Sequence, residues 1–179
     1  MTDYFFGSAT IILLFAISLI SLVPAVKHKV LDKFSKNENL PIIVVLILSL
    51  SATMGSLWYS EIIGFEPCKL CWFQRIFMYP IVLISFIGWQ LRDVKSMFYI
   101  KALAMVGIVI ATYHVIIQRI PQTGLSCGTV GQGVSCDGKW VNAFGLVTIP
   151  LMALTIFIAI LLVIMLAQRA HSKTNNSSI

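Results

Sequence analysis

The stretch from Phe65 to Arg75, FEPCKLCWFQR, carries two cysteines separated by two residues and an arginine four residues after the second. Two thiols at this spacing can close a disulfide and open it again. If a helix begins near Pro67, both sulfurs lie in its first turn, where unpaired backbone N–H groups and the helix dipole favour a thiolate. A structural disulfide rarely closes so short a loop, because it would constrain the unfolded chain little. The spacing therefore favours a redox-active pair, Cys68 and Cys71, over a structural disulfide or half of a zinc site.

A second cysteine pair, Cys127 and Cys136, lies in the glycine-rich segment CGTVGQGVSC. On its own, this pair is typical of a disulfide that staples a loop. The glycines give the segment freedom to move, and two disulfides within reach of each other exchange when a thiolate of one attacks the other. If both pairs lie on the same side of a membrane, we therefore expect the second pair to be redox-active as well.

Two residues with ionisable side chains fall inside apolar stretches, at the depth expected for the first cysteine pair. Arg75 is four residues past Cys71, so the two side chains share a helix face. Its guanidinium either snorkels to the membrane interface or binds a membrane-soluble quinone by donating to a carbonyl oxygen. His114 lies late in a later apolar stretch, where it either packs as a core residue or contacts the cysteines. Both are candidate binding residues.

Long apolar runs must position these residues, and they make the chain an integral membrane protein. Hydrophobic residues are 58% of the 179 residues and charged residues only 11%, against about 25% charged in soluble domains. Mean hydropathy is +0.91. The basic residues are scattered, and none of their groupings predicts binding to nucleic acid. About 20 apolar residues cross a bilayer, and runs of that length cover residues 4–26, 41–60, 68–90, 97–118 and 146–167.

The predicted fold is an all-α membrane protein: a four-helix transmembrane bundle over residues 41–168, preceded by one extra N-terminal transmembrane helix over 4–26. A basic loop completes residues 1–40, and residues 169–179 form a polar tail. Nine Lys and Arg residues fall in the loop, the tail and the turn near residue 93, and four fall on the opposite side of the predicted membrane. Because positive charge marks the cytoplasmic face, the N-terminus and both cysteine pairs are predicted outside, where disulfides persist, and the C-terminus inside.

These residues resemble the DsbB family of bacterial disulfide-formation membrane proteins, most closely the short Gram-positive type called BdbC. The likeness covers roughly residues 42–168 and leaves the first helix outside the family's four-helix pattern. The loop between the second pair of cysteines is also shorter than in proteobacterial members. The residues that carry the likeness are EPCKLCWFQRIFMYP at Glu66 to Pro80, Leu57 to Tyr59, Tyr113 and His114, both cysteine pairs, and FGLVTIP at Phe144 to Pro150.

The resemblance implies a bundle that reoxidises a soluble thioredoxin-fold thiol oxidase, of the DsbA or BdbD type, and passes the electrons to a membrane quinone, either menaquinone or ubiquinone. It implies that the reduced partner attacks Cys127, that Cys136 then attacks Cys68, and that Cys71 is the thiolate that faces the quinone. Arg75 and His114 would lie beside that quinone. The alternative hypothesis is a non-enzymatic membrane protein that binds a metal ion through its cysteine thiols.

Overall fold

The computed structural model describes residues 2–120 and 147–176, so Cys127 and Cys136 lie outside the described residues. The described part of the chain is all-helical, as predicted. A π-helical turn, Trp58–Ile62, extends the third helix. In a π-helix the backbone hydrogen bonds join residues five positions apart, and single turns of this kind are frequent at functional sites. The helices are α1 (Thr2–Leu22), α2 (Pro24–Lys36), α3 (Leu40–Leu57), α4 (Lys69–Leu91), α5 (Ser96–Arg119) and α6 (Ile149–Asn176).

Four of the described helical segments are long and apolar enough to cross a membrane: Leu40–Ile62, Lys69–Leu91, Ser96–Arg119 and Ile149–Ser172. They correspond to the four predicted spans of the bundle. In the bundle, α3 packs against α4, α4 against α5, α5 against α6, and α6 closes on α3. Buried apolar side chains from all four helices fill the interior, among them Val45, Ile81, Ile100, Phe157 and Ile164.

The N-terminal region differs from the predicted single span followed by a loop. The chain bends by 95° between α1 and α2, and the two helices together reach the length of a fifth candidate crossing. Pro24 is at the first position of α2, where no hydrogen bond within the helix needs its missing N–H. Its ring does not fit inside a continuous helix, so α1 ends before Pro24. The prediction of a loop from residue 27 is therefore wrong as far as Lys36. The cause is an apolar face, in which Phe34 is buried with Val30 and Leu31 beside it.

The C-terminal helix also extends further than predicted. It begins at Ile149 and continues to Asn176, so the polar tail predicted from residue 169 is helical over most of its length. The reason is that α2 packs against α6. Ala170 is buried in this contact region, and His171 Nδ1 lies 4.0 Å from Glu38 Oε1. Packing therefore continues the helix beyond the apolar run that the sequence shows.

Candidate functional site

The first cysteine pair lies at the N-terminal end of α4. Cys68 is the N-cap residue, and its Sγ accepts a hydrogen bond from the backbone N–H of Cys71 at 3.5 Å. The Cys68 thiol also donates to Cys71 Sγ, with the two sulfurs 3.3 Å apart. Because a helix N-terminus leaves backbone donors unpaired, it offers these sulfurs hydrogen bonds that favour negative charge. The pair is thus placed for thiol chemistry.

His114 reaches the same pair from α5. Its ring is 1% exposed, and Nε2 lies 3.6 Å from Cys68 Sγ. On the other side of the ring, Gln74 Nε2 lies 3.1 Å from His114 Nδ1. When the Gln74 amide donates to Nδ1, the neutral ring carries its proton on Nε2 and directs it at the Cys68 sulfur. Gln74 and His114 therefore form a short polar chain from α4 to the cysteine.

The two thiols are not equivalent. The hydrogen bond from the Cys68 thiol to Cys71, together with burial, raises the pKa of Cys68 to about 12, against the opposing effect of His114. Cys68 is buried, whereas Cys71 is half-buried. In the reduced protein the proton between the sulfurs therefore stays on Cys68, and Cys71 is the acceptor of the pair.

Arg75 is buried within α4, where its guanidinium is held against α3. Its Nε donates to Ser56 Oγ at 2.9 Å, and Nη2 donates to the Ser56 carbonyl oxygen at 3.0 Å. The Trp72 ring covers the guanidinium, with Cζ 5.3 Å from the ring centroid. Among the described residues, Arg75 forms no ion pair with a carboxylate. Because a buried cation is costly without a counter-charge, the site favours a ligand that accepts hydrogen bonds or carries negative charge.

A cavity of about 570 Å³ opens beside these residues. Cys68, Cys71, Arg75 and His114 all line it, so the structure brings four of the six predicted site residues to one place. The remaining wall is mostly apolar, from α1, α3 and α6. Sites for small molecules occupy about 300–1,000 Å³ and combine apolar walls with a few polar groups. The cavity therefore has the size and the lining that a quinone head group requires.

One polar group in the cavity wall supports this fit further. Tyr79 lines the cavity, and its buried hydroxyl has no hydrogen-bond partner within residues 2–120 and 147–176. It lies four residues after Arg75, on the same face of α4. A buried hydroxyl without a partner is costly, so Tyr79 adds a second donor that a ligand carbonyl would satisfy.

The cysteine end also has the donor set of a metal site. The ligand atoms of Cys68, Cys71 and His114 all lie within 4.8 Å of one another. Two thiolates and an imidazole are ligands that zinc accepts, with a fourth position left open. The thiol chemistry and the metal chemistry therefore compete for the same three side chains.

Several site residues were missing from the sequence prediction. Ser56, Gln74 and Tyr79 contact or neighbour the predicted residues, and α1 supplies one wall of the cavity. Gln74 carries a usable signal, since a polar amide within an apolar run marks a functional position. Cys127 and Cys136 lie outside the described residues.

Comparison with known proteins gives a consistent result. The model of the family described as "Disulfide bond formation protein DsbB" matches residues 38–167. Disulfide bond formation protein C of Bacillus subtilis is 37% identical over 139 residues, which cover 77% of this chain and 99% of that protein. The "Probable disulfide formation protein C" of Halalkalibacterium halodurans is 43% identical over 126 residues, 69% of this chain and 89% of that protein. No solved structure matches the chain.

Proposed function

Because the chain belongs to the DsbB family of disulfide bond formation proteins, with a role in disulfide bond formation, we propose that it is a quinone-dependent thiol oxidase of the membrane. It reoxidises an extracytoplasmic thioredoxin-fold protein of the DsbA or BdbD type and delivers the electrons to menaquinone or ubiquinone. The observation that carries this proposal is the shared cavity. The Cys68–Cys71 pair and a buried arginine without a carboxylate partner in the described residues open into the same apolar space.

The residues of the cavity have separate roles in this proposal. A quinone bound there supplies an acceptor for two electrons and two protons, which is what closing a dithiol to a disulfide releases. The N–H groups of the Arg75 guanidinium that are not bonded to Ser56 donate to a carbonyl oxygen of the quinone, and the Tyr79 hydroxyl donates a second hydrogen bond to the quinone. Cys71 is the sulfur that the pair leaves ready to react, because Cys68 retains the shared proton. His114 donates its Nε2–H to the Cys68 sulfur, which favours the Cys68 thiolate, and is oriented by Gln74.

The route from the partner runs through the second pair of cysteines. The reduced partner attacks Cys127, Cys136 is released as a thiol, and Cys136 then attacks Cys68, so that each exchange breaks one S–S bond and forms another. Both pairs lie on the outer side of the membrane in this proposal, with the N-terminus outside and the C-terminus inside. The excess of Lys and Arg on the opposite side supports that orientation.

The decisive experiment mixes the purified protein with a reduced thioredoxin-fold partner and a quinone, and follows the quinone absorbance. We expect the quinone to be reduced only when the partner is present, with one quinone consumed for each partner disulfide formed. Quinone reduction that is independent of the partner, or its absence with both menaquinone and ubiquinone analogues, would reject the proposal. Site-specific labelling from each side of sealed vesicles tests the orientation separately.

A second candidate function rests on the metal-ligand geometry. If Cys68, Cys71 and His114 hold a zinc ion permanently, the protein is a metal-binding membrane protein without turnover. Elemental analysis of protein purified in the presence of a reductant separates the two functions. Stoichiometric zinc that resists quinone oxidation favours the metal site. A metal-free dithiol that quinone converts to a disulfide favours the oxidase.

A further inference from the structure

Helix α1 lies outside the family match yet lines the cavity. The match begins at residue 38 and ends at residue 167, so it does not include α1. One face of α1 nevertheless forms a cavity wall. The residues on this face recur at the spacing of helical turns: Phe6, Ala9, Thr10, Leu13 and Ala16.

The outer end of this wall is closed by aromatic packing. The Phe6 ring lies 5.4 Å from the Tyr59 ring, and Tyr59 stacks on Phe65 with centroids 6.2 Å apart. Gly55 makes room for Phe6, because a Cβ at Gly55 would lie 3.1 Å from Phe6 Cε1. These three rings join α1 to the π-helical turn and to the segment that leads into the cysteines. The wall is thus attached directly to the site.

The inner part of the wall remains open towards α3. Ile12 of α1 and Ser51 of α3 both line the cavity, and both are also exposed at the outer surface of the helices, Ile12 at 68%. On the other side, α1 packs against α6. The cavity therefore has a lateral opening between α1 and α3, at the level of Ile12 and Ser51, and the residues around it are small or apolar.

We propose that α1 completes the quinone site and that the isoprenoid tail of the quinone leaves the cavity through the opening between α1 and α3. This inference rests on the proposed function, because it assigns the ligand as a membrane quinone. The head group lies near Arg75, and the tail passes between Ile12 and Ser51 into the lipid. Since the tail is apolar, burial against α1 adds affinity that a quinone without a tail does not gain.

The test compares two neighbouring substitutions on α1 with two quinones. Ile12→Phe enlarges a side chain at the opening, whereas Ile11→Phe makes the same change at an exposed residue that does not line the cavity. For menaquinone-4, we expect Ile12→Phe to raise KM about tenfold. This is the effect of no longer burying roughly two methylene groups of the quinone tail. KM for menadione, which has no tail, and both KM values of Ile11→Phe should stay at the wild-type level.

A binding measurement provides a readout apart from turnover. A quinone that carries a photoreactive diazirine in the first unit of its tail is bound to the wild-type protein and irradiated, and the adducts are mapped by mass spectrometry. We expect adducts on α1 near Ile12 and on α3 near Ser51, displaced by excess menaquinone-4. Adducts confined to other helices would overturn the inference, and so would equal KM changes for both quinones or for both variants. If the wild-type protein neither binds nor reduces a quinone, the proposed function fails, and this inference fails with it.

Discussion

The two ends of the α4–α5 pair use polar residues in opposite ways. At the end where α4 leads into α5, polar groups satisfy one another: Ser96 Oγ donates to the Asp93 carbonyl oxygen at 2.6 Å, and Lys95 N donates to Asp93 Oδ1 at 2.9 Å. Arg92 ends α4 in a left-handed backbone conformation, and the Asp93 N–H donates to the Gly88 carbonyl oxygen at 2.9 Å. At the cysteine end, Arg75, Tyr79 and the thiols face a cavity instead.

This difference indicates which end of the pair serves chemistry. The α4–α5 turn is closed by short-range hydrogen bonds and leaves a space of only about 120 Å³ nearby. The cysteine end leaves a buried cation and a buried hydroxyl directed at about 570 Å³. Substitutions in the turn should therefore alter stability, and substitutions at the cysteine end should alter activity with little change in stability.

The largest effect is expected at Cys71. Replacing Cys71 with serine leaves Cys68 without the thiol with which it closes a disulfide, so quinone reduction should fall at least about a thousandfold. At the turn, Ser96→Ala removes one hydrogen bond and about 1 kcal/mol of stability, with quinone reduction unchanged. The measurement is partner-driven quinone absorbance combined with thermal unfolding. A Cys71→Ser protein that retains turnover would contradict the expectation that the cysteine end determines activity and the α4–α5 turn determines stability.

The next effect concerns stability at Gly88. A Cβ there would lie 2.7 Å from Ser96 Cβ, which cannot move without shifting α5, and 2.7 Å from Ile42 Cδ1, the end of a flexible side chain. Gly88→Ala should therefore lower the free energy of unfolding by about 1–3 kcal/mol while the KM for quinone stays constant. Gly55→Ala is the matched control, because a Cβ there would lie no closer than 3.1 Å to a side-chain atom, Phe6 Cε1. Equal losses of stability in the two variants would show that the turn is no more rigid than the cavity end.

Arg75 should show the reverse pattern. Lysine keeps the charge but cannot reproduce the fork of donors that reaches both Ser56 and a ligand, so Arg75→Lys should raise the quinone KM about tenfold, which equals the loss of one good hydrogen bond. Arg92→Lys makes the same change at the exposed turn and should leave KM unaltered. Similar KM values for the two variants would remove Arg75 from the binding site.

The smallest effect is expected from the polar chain behind Cys68. Because His114 lowers the pKa of Cys68, His114→Ala should raise that pKa further and slow the alkylation of Cys68 by iodoacetamide at pH 9 a few-fold. Gln74→Leu should slow it less, since Gln74 acts through the histidine. Site-resolved mass spectrometry of the reduced protein measures both rates. Faster alkylation in either variant would mean that His114 shields the sulfur instead.

The raised pKa of Cys68 also affects stability. The folded protein favours the thiol over the thiolate, so this contribution is complete below the ordinary thiol pKa near 9 and is lost as pH rises from there to about 12. The reduced wild-type protein should therefore lose stability across that range more steeply than Cys68→Ser. Parallel pH profiles of thermal unfolding for the two proteins would contradict this.

The sequence predicts features that depend on local pattern and misses those that depend on distant contacts. The predicted spans agree with α3, α4 and α5 because each is a continuous apolar run with polar ends. Helix α2 is missed because its lysines dominate its composition and conceal an apolar face around Phe34. The bonds from Arg75 to Ser56 and from Gln74 to His114 join residues 19 and 40 positions apart, which no local pattern reports. The sequence does not predict that α1 forms a wall of the cavity, because a helix that is apolar on all sides shows no preferred buried face.

The contacts of α1 and α2 with α6 have a consequence for biogenesis. Helices α1 and α2 pack against α6, which is synthesised after them, so they cannot reach their final places until α6 has been synthesised. Such contacts between distant parts of a chain form late. The redox pair on α4 is therefore assembled before the wall that encloses it. Nascent chains that stop short of α6 should display reactive thiols at the membrane, a stage at which quality-control proteases could recognise incomplete molecules.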